Sequence, residues 1–408
     1  NGYPSVIDIP SFIDYMLISE LGSNADAYMY STFFHKDRNG KLRAGPVWDC
    51  DLTYGNDLFF WGFDRSKTNI WQFSNGDNEG SQFWSDLFFN TTFRCYLSRR
   101  WHELTAPGQP LNAESLSDFI DSTAATINEA VEREHYRWGY TGTFTQRIQE
   151  IKSFIQTRIS WMTANFGSYA GCSDISLPTL VINKIMYHPE TTEAFPEEQE
   201  LEFVELLNNG GQAVSLTGIY FMGTGFVFQF PAGTSVGPGG SIVLASNAAE
   251  FRERHGRDPN AEFTRHLSNK SQTLILADGF GNIIDSLTYR DTIPWPDADG
   301  NGYYLQLTDP GLDNSLAENW TASNDVFVSD NPHTAEPFLE VYPNPVQDVL
   351  RIRTTTTIVR ISLSDLQGRL LATESIGSTG GTLDLSRYSS GIYMLKIETE
   401  DNPSSERL

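Results

Sequence analysis

The sequence predicts a multidomain α+β protein, with a helix-rich part followed by two parts built from β-strands. The chain has 408 residues, and at roughly 150 residues per domain this length favours about three domains. Apolar residues recur at helical spacing through residues 1–172, whereas short β-type runs between Gly and Asn clusters fill 178–320 and 338–408. The polar stretch 321–337 is predicted to be a linker.

The first part is predicted to contain at least four helices. Pro10 and Ser11 favour a helix start and Gly22 favours a stop, so the spacing predicts a helix over 9–21. The same periodicity predicts further helices at about 81–104, 113–134 and 144–166. The last of these carries an apolar face, formed by Ile148, Ile151, Phe154, Ile155, Ile159 and Met162.

The second and third parts are each predicted to be a β-sandwich, because short β-type runs alternate with turn-forming residues. In the second part the runs lie at 181–187, 201–207, 242–245 and 272–277. In the third part they lie at 349–353, 358–363, 370–373 and 391–397.

The composition excludes several classes of protein. Lys and Arg number 28 against 52 Asp and Glu, which gives a formal charge of −24. Such a surface repels phosphate backbones and anionic lipid, so we expect no nucleic-acid partner. No apolar run approaches the roughly 18 residues of a membrane helix, so we expect no transmembrane segment. The sequence begins at Asn1 without the basic and apolar regions of a signal peptide, and we expect the N-terminal part of the protein to lie upstream.

Two carboxylates stand close together in the run Gly45-Pro-Val-Trp-Asp-Cys-Asp-Leu-Thr-Tyr-Gly55. If residues 47–52 are extended, Asp49 and Asp51 point to one face, about 7 Å apart. Two carboxylates at that spacing can share or hold divalent cations.

A second acidic element, Asn24-Ala-Asp26, follows the first predicted helix. An Asp and an Asn before a strand that carries further Asp residues match the needs of phosphoryl transfer, in which one Asp orients the hydroxyl and others hold Mg²⁺. The alternative is a solvated acidic turn with an Asn-x-Asp helix cap, and spacing alone leaves both open.

Residues 1–172 resemble the C-terminal lobe of the CotH family of spore-coat kinase-like proteins, in the branch found on multidomain surface proteins of Bacteroidetes. The resemblance is carried by Phe12-Ile-Asp-Tyr-Met-Leu-Ile-Ser-Glu-Leu-Gly-Ser-Asn-Ala-Asp26, Ser31-Thr-Phe-Phe-His-Lys-Asp37, Gly40-Lys-Leu-Arg-Ala-Gly-Pro-Val-Trp-Asp-Cys-Asp51, Arg100-Trp-His-Glu-Leu104 and His135-Tyr-Arg-Trp138.

This resemblance implies a role for each residue of the acidic elements. It implies Asp26 as the catalytic aspartate, Asp49 and Asp51 as metal ligands, Asn24 as a supporting ligand, and Trp48 beside the nucleotide. The implied cofactors are ATP and Mg²⁺ or Mn²⁺. The sequence departs from the family in two ways. Residues 27–30 are Ala-Tyr-Met-Tyr, where the kinase-active branch has basic residues and an Asn. The N-terminal lobe is expected upstream, so we expect residues 1–408 alone to be inactive.

The second part resembles a lamin-tail domain, an immunoglobulin-like sandwich that usually serves as an attachment module. The resemblance is carried by Ile182-Asn-Lys-Ile-Met-Tyr-His-Pro189, Glu202-Phe-Val-Glu-Leu-Leu-Asn208, Phe230-Pro-Ala-Gly-Thr234 and Pro294-Trp-Pro-Asp-Ala-Asp-Gly-Asn-Gly302. Within the last run Asp297, Asp299 and Asn301 imitate the start of a calcium loop. A plain Asp-Gly and Asn-Gly turn is the alternative, because no Glu follows at the bidentate position.

The third part resembles the C-terminal sorting domain of the type IX (Por) secretion system. The resemblance is carried by Val341-Tyr-Pro-Asn-Pro-Val346, Leu363-Ser-Asp-Leu-Gln-Gly-Arg369, Leu383-Asp-Leu385 and Tyr388-Ser-Ser-Gly-Ile-Tyr-Met-Leu-Lys-Ile397. It implies export across the outer membrane, with the secretion machinery as partner, to a secreted or cell-surface location.

Export into an oxidising compartment permits disulfides. Cys95 and Cys172 lie towards the ends of the helical part, and a disulfide between them is one option for three cysteines. Cys50 is interpreted as a small buried apolar side chain rather than a nucleophile. His35, His102 and His135 are scattered, so no zinc site is expected.

Three functions stay open at this point. The first is a secreted, ATP- and Mg²⁺-dependent kinase-like enzyme acting on protein hydroxyls in the full-length parent. The second is an inactive kinase fold that serves as a surface adhesion or scaffold protein with a lamin-tail interaction module. The third is a glycan-binding surface protein, which requires Trp61 and Trp71, in the aromatic runs 59–63 and 71–73, to be exposed on one face.

Overall fold

The computed structural model describes residues 2–56, 67–74, 80–139, 143–223, 225–324, 339–342, 345–346, 348–365, 368–389 and 391–399. The chain divides into two compact units, Asn1–Phe327 and Val328–Leu408. The first unit contains a helical region, residues 2–172, and a first sandwich, residues 178–324; the second unit is called the C-terminal unit. Helices precede sheets along the chain, so the multidomain α+β fold class is confirmed.

The helical region contains five α-helices and a β-hairpin among its described residues. The predicted helices are confirmed, except that 81–104 is divided at Asn90, whose side chain accepts a hydrogen bond from the Phe93 amide and caps the second piece. The elements are α1 (Ile9–Gly22), β1 (Thr32–His35), β2 (Arg43–Val47), α2 (Phe83–Phe89), α3 (Thr91–Thr105), α4 (Ala113–Trp138) and α5 (Phe144–Phe166).

The core of this region is aromatic. It lies where α1, α2, α3 and α5 meet, around the fully buried side chains of Phe12, Trp84, Phe93 and Trp101. The amphipathic helix α4 packs along α5 but has no buried residue of its own. The core therefore holds α1 rigidly in its centre, and α1 leads directly into the first acidic element.

A buried ion pair ties α1 to α5. Arg158 donates from Nη2 to Glu20 Oε2 at 2.9 Å, and both side chains are almost fully shielded from solvent. Arg158 also donates to the backbone oxygens of Thr68 and Ile70, while Glu20 accepts from the Gln72 amide. The pair thus anchors the irregular segment 67–74 to two helices.

A disulfide between Cys95 and Cys172 joins α3 to the turn that follows α5. The pairing that the sequence left as an option is therefore present in the structure. It closes a loop of 77 residues that contains α4 and α5.

The first sandwich has two facing sheets. Its elements are β3 (Leu180–Met186), β4 (Phe203–Asn208), β5 (Val214–Ser215), β6 (Tyr220–Phe221), β7 (Ser235–Val236), β8 (Ser241–Ala245), α6 (Ala248–His255), β9 (Ala261–Glu262), β10 (Ser271–Ala277), β11 (Ile283–Arg290), β12 (Tyr304–Leu307) and β13 (Trp320–Ser323). The six-stranded sheet has the order β13-β12-β3-β4-β8-β9, and the three-stranded sheet has the order β11-β10-β6. The apolar core lies between the sheets, and α6 covers the outer face of the larger sheet through Phe251.

The end of the first sandwich changes one predicted boundary. Because β13 continues to Ser323, positions 321–323 of the predicted linker are strand, paired with β12. The rest of the predicted linker, from 325 onward, lies outside the described residues.

The C-terminal unit is a four-stranded antiparallel sheet around its own apolar core. The strands are β14 (Leu339–Tyr342), β15 (Val349–Ser364), β16 (Leu370–Asp384) and β17 (Met394–Thr399). The long strand β15 pairs with β14 through its first part, with β17 through its last part, and with β16 along both. The apolar core contains Leu350, Ile352, Ile361 and Leu383.

Candidate functional site: two adjoining acidic loops

The first acidic loop follows the end of α1. The helix ends at Gly22, and Ser23 takes a left-handed conformation with φ of 49° that turns the chain away from the helix axis. Asn24 is buried, and its Oδ1 accepts a hydrogen bond from the Asp26 amide at 3.0 Å. This is an Asx turn, so the side-chain oxygen of Asn24 positions Asp26, which is half-buried.

The second acidic loop follows β2, and the condition that residues 47–52 be extended is not met. The strand ends at Val47, and Asp49 has a φ of 55°. A left-handed residue reverses the chain and destroys the two-residue alternation, so Asp49 and Asp51 do not share a strand face. The loop residues 48–51 are all exposed, and Ser31 Oγ donates to Asp49 Oδ2 at 3.3 Å.

The two loops lie side by side. The Ala25 amide donates to the Leu52 oxygen at 3.2 Å, and the Tyr54 amide donates to the Gly22 oxygen at 2.6 Å. These bonds join residues 27 and 32 positions apart in the chain, and they bring the elements that carry Asp26 and Asp49 into contact.

The backbone of this area is strained. Four of the six non-glycine residues with positive φ in the described chain flank the loops: Ser23, Tyr28, Asp49 and Tyr54. Each such residue costs of the order of 1 kcal/mol, and strain of this kind concentrates at functional sites. The cluster marks this area as a candidate functional site independently of any motif.

Trp48 lies at the edge of the second loop with 61% of its surface exposed. Its ring packs edge to face against Phe33 of β1, with centroids 6.3 Å apart. Phe33 is itself exposed, and no role was assigned to it or to Ser31 from the sequence. The run Ser31-Thr-Phe-Phe contains both, but only the folded hairpin shows that they contact Trp48 and Asp49.

The prediction that Cys50 is buried is wrong, because its side chain is exposed and unpaired. Partial desolvation and the neighbouring charges of Asp49 and Asp51 raise the pKa of the Cys50 thiol. The thiol is therefore protonated at neutral pH.

The fit of the acidic loops to a metal can be tested on their donor atoms. In the part of the chain that the structure describes, no group of three His, Cys, Asp or Glu side chains lies close enough to hold a metal ion. Mg²⁺, however, keeps several waters and binds proteins through one or two carboxylates together with substrate phosphates. The exposed carboxylates of Asp49 and Asp51 supply that smaller set of hard oxygen donors.

In the loop at 297–302, the side chains of Asp299 and Asn301 form hydrogen bonds with other groups of the protein. Asp299 Oδ1 lies 2.5 Å from His188 Nδ1, and Asn301 Nδ2 donates to the Asp297 oxygen at 3.2 Å. Asn301 Oδ1 accepts from the Tyr303 amide. These contacts favour the plain turn over a calcium loop, because the side chains of Asp299 and Asn301, two of the three proposed ligands, are already engaged.

Trp71 does not form an exposed glycan platform. It is half-buried and packs against Phe88, Trp161 and Phe166, with ring centroids 5.1, 4.6 and 5.1 Å away. Trp61 and the run 59–63 lie outside the described residues.

Comparison with family models identifies three regions in order. Residues 1–162 match the CotH kinase protein family, residues 175–291 match the lamin tail domain, and residues 340–408 match the secretion system C-terminal sorting domain. The chain therefore has a CotH region, a lamin tail domain and a sorting domain, as the sequence motifs predict. The sorting domain indicates secretion by the type IX system to the cell surface.

Two solved structures are remotely similar. A DUF4876 family protein from Bacteroides thetaiotaomicron is 11% identical over 39% of this chain and 76% of its own, with a TM-score of 0.30. PorZ, a surface component of the type IX secretion system of Porphyromonas gingivalis, is 12% identical over 52% of this chain and 35% of its own, with a TM-score of 0.16. No curated protein matches.

Within the described residues, none of the helices is long and apolar enough to cross a membrane.

Proposed function

We propose that the protein acts at the cell surface as an atypical kinase-like enzyme, which uses its two acidic loops to bind ATP with Mg²⁺ or Mn²⁺. The reaction is phosphoryl transfer to hydroxyl groups of a protein substrate. The match of residues 1–162 to the CotH kinase family supports this class. The observation that carries the proposal is the strained pair of adjoining loops, one of which exposes Asp49 and Asp51 while the other holds the half-buried Asp26.

Each residue of the loops has a role in this proposal. Asp49 and Asp51 are the metal ligands, and the bound metal neutralises phosphate charge. Asp26 accepts the proton of the attacking hydroxyl, as the aspartate of a kinase catalytic loop does. Asn24 acts as a positioning residue, since its oxygen holds the Asp26 amide, and Trp48 lies beside the nucleotide.

The second candidate is an inactive kinase fold that works as a surface scaffold. Two observations favour it: in the described chain the acidic side chains form no three-residue metal cluster, and Asp26 is followed by Ala27-Tyr-Met-Tyr30 rather than basic residues. In this case the lamin tail domain is the module that binds partners.

Calorimetric titration of the natural full-length protein with ATP, with and without Mg²⁺ or Mn²⁺, separates the two candidates. We expect metal-dependent binding that Asp49→Ala weakens at least about tenfold, since even the loss of a group that only orients a metal ligand costs about 10–100-fold in affinity. The matched control is Asp118→Ala, which removes an exposed carboxylate on α4 away from the loops.

Three results count against the kinase proposal. Binding that needs no metal contradicts the role of the carboxylates, and equal binding by Asp49→Ala and wild type removes Asp49 from the site. No binding with either metal, in a protein that melts normally, favours the scaffold.

A further inference from the structure

The first sandwich contacts the helical region at the joint where α1 and β2 both begin. Within the helical region, the Asp8 amide donates to the Leu42 oxygen at 2.8 Å, which joins the residue before α1 to the residue before β2. Tyr220, on β6 of the first sandwich, donates from its hydroxyl to Asp8 Oδ1 at 2.9 Å. Asp8 is buried and also pairs with Arg43 at the start of β2.

The ring of Tyr220 makes a second contact at the same joint. Lys41 Nζ lies 3.5 Å from the centre of the ring, and only 6% of Lys41 is exposed. The amine finds no hydrogen-bond partner among the described residues, so the aromatic face is a main source of its stabilisation. Burial lowers the pKa of Lys41 to about 8, against the opposing charges of Asp8 and Asp278.

Three further contacts surround this one. Arg265 pairs with Asp37 in the turn between β1 and β2, and Thr264 Oγ1 donates to the Arg38 oxygen at 2.9 Å. On the other side, a Cβ at Gly281 would lie 2.3 Å from Pro10 Cγ.

The rings of Tyr96 and Phe280 stack beside that close approach, with centroids 4.9 Å apart. The sandwich thus contacts both the start of α1 and the turn of the β1–β2 hairpin.

The two segments that begin at these contacts, α1 and β2, lead into the acidic loops. From Asp8, the 14 residues of α1 run about 21 Å at 1.5 Å per residue to the loop of Asn24 and Asp26. From Lys41, the five residues of β2 run about 17 Å at 3.4 Å per residue to the loop of Trp48 and Asp49. Because a packed helix and a packed strand are stiff, the orientation of their first residues sets the position of the loops that follow their last residues.

We propose that the first sandwich is an intramolecular brace for the two acidic loops, with Tyr220 as its central positioning residue. The brace itself depends only on these contacts; its effect on nucleotide binding rests on the proposed function. The lamin tail domain is then a structural part of the site, in addition to any role it has in attachment.

The test compares two buried tyrosines of the first sandwich in the full chain. Tyr220→Phe removes the bond to Asp8. Tyr289→Phe is the matched control, since its hydroxyl donates to the Ser268 oxygen at 2.7 Å inside the sandwich. Amide hydrogen exchange is read by mass spectrometry in the segments 9–31 and 41–56, and ATP affinity is measured alongside.

We expect Tyr220→Phe to speed exchange in both segments about tenfold, the size expected from losing a hydrogen bond to a charged group. Tyr289→Phe speeds exchange only within 268–291. Arg265→Ala, which breaks the exposed pair with Asp37, gives a smaller effect of the same pattern and serves if Tyr220→Phe does not fold.

Unchanged exchange in 9–31 and 41–56 in both Tyr220→Phe and Arg265→Ala overturns the brace, as does an equal increase everywhere from all three variants. If wild type binds ATP, Tyr220→Phe weakens the affinity and Tyr289→Phe does not. If wild type binds no ATP, the proposed function fails, while the exchange pattern still decides whether the brace exists.

Discussion

At the scale of single residues, two of the buried carboxylates in the described part of the chain, Glu20 and Glu202, have contrasting partners. Glu20 of the helical region is paired with Arg158 and accepts backbone hydrogen bonds from Gln72 and Phe73. Glu202 of the first sandwich has 1% of its surface exposed and accepts one bond at Oε2, from the Leu267 amide. Its Oε1 has no partner within the described residues. Glu20 has a buried counter-charge in Arg158, whereas Glu202 has the Leu267 amide and, 3.6 Å from its Oε2, His266 Nδ1. Burial of Glu202 therefore favours its protonated form.

Arg158→Met is expected to lower the free energy of unfolding by about 3–5 kcal/mol, because Glu20 is left buried without a counter-charge. Arg147→Met is the control, since Arg147 pairs with Glu150 on the exposed face of α5 and such pairs contribute about 0–1 kcal/mol. Urea unfolding measures both. Equal losses in the two variants would contradict a structural role for the buried pair.

Glu202 is expected to make stability fall as the pH rises. Desolvation raises the pKa of Glu202 to about 8, from an ordinary value of 4.5. Between these values the unfolded chain holds fewer protons at this site than the native state, so the free energy of unfolding decreases towards alkaline pH. Its contribution is complete below about pH 4.5 and is lost as the pH passes the native pKa near 8.

His188 acts in the same direction. Desolvation lowers the pKa of His188, but its hydrogen bonds to Asp299 and Glu198 outweigh that effect and raise the pKa overall. Glu202→Gln separates the two contributions: it should flatten the fall of stability between pH 5 and pH 8, measured by thermal unfolding (about 1.4 kcal/mol per pKa unit). An unchanged pH slope in this variant would assign the effect elsewhere.

At the scale of elements, the sequence predicted the start of a helix correctly where a neighbouring side chain caps that helix. Asn112 and Thr143 cap α4 and α5 through side-chain hydrogen bonds, and both helices begin where the sequence predicts. The extended conformation considered for 47–52 does not form, because Asp49 is held in a left-handed conformation within a loop that pairs with the end of α1. No property of the sequence 47–52 reports that pairing.

The disulfide belongs to this scale because it closes the loop that carries α4 and α5. Replacing Cys95 and Cys172 by Ser together should lower the free energy of unfolding by about 2–5 kcal/mol, since the unfolded chain regains the entropy of a long loop. Cys50→Ser is the control and should change stability by less than about 0.5 kcal/mol, because Cys50 is exposed. Denaturant unfolding under oxidising conditions reads all three proteins, and a small loss in the double variant would mean that the core alone holds α3 to the end of α5.

At the scale of the whole molecule, three regions identified separately do not form three separate bodies. The CotH region and the lamin tail domain lie in one compact unit, and the sorting domain lies in the other. The arrangement agrees with their different tasks: the first unit carries the candidate site with its brace, and the sorting domain carries the signal for export.

Removal of residues 340–408 is expected to abolish surface delivery, because the type IX sorting domain lies there. The full-length protein and the truncated protein are expressed in a bacterium with a type IX system, and protease treatment of intact cells followed by fractionation locates each. We expect the truncated protein to stay inside the cell envelope while melting as the first unit of the full chain does. Surface delivery of the truncated protein would contradict the assignment of the sorting domain.

Periodicity, caps and motifs were sufficient for most helices of the helical region, for the β-strand character of the two later parts and for the order of the three regions. These properties depend on neighbours within a few turns of the chain, which a sequence displays directly. The adjoining of the two loops, the pair of Glu20 with Arg158 and the contact of Tyr220 with Asp8 are different. They join residues 27, 138 and 212 positions apart, and such contacts arise only when the packing of whole elements brings distant side chains together.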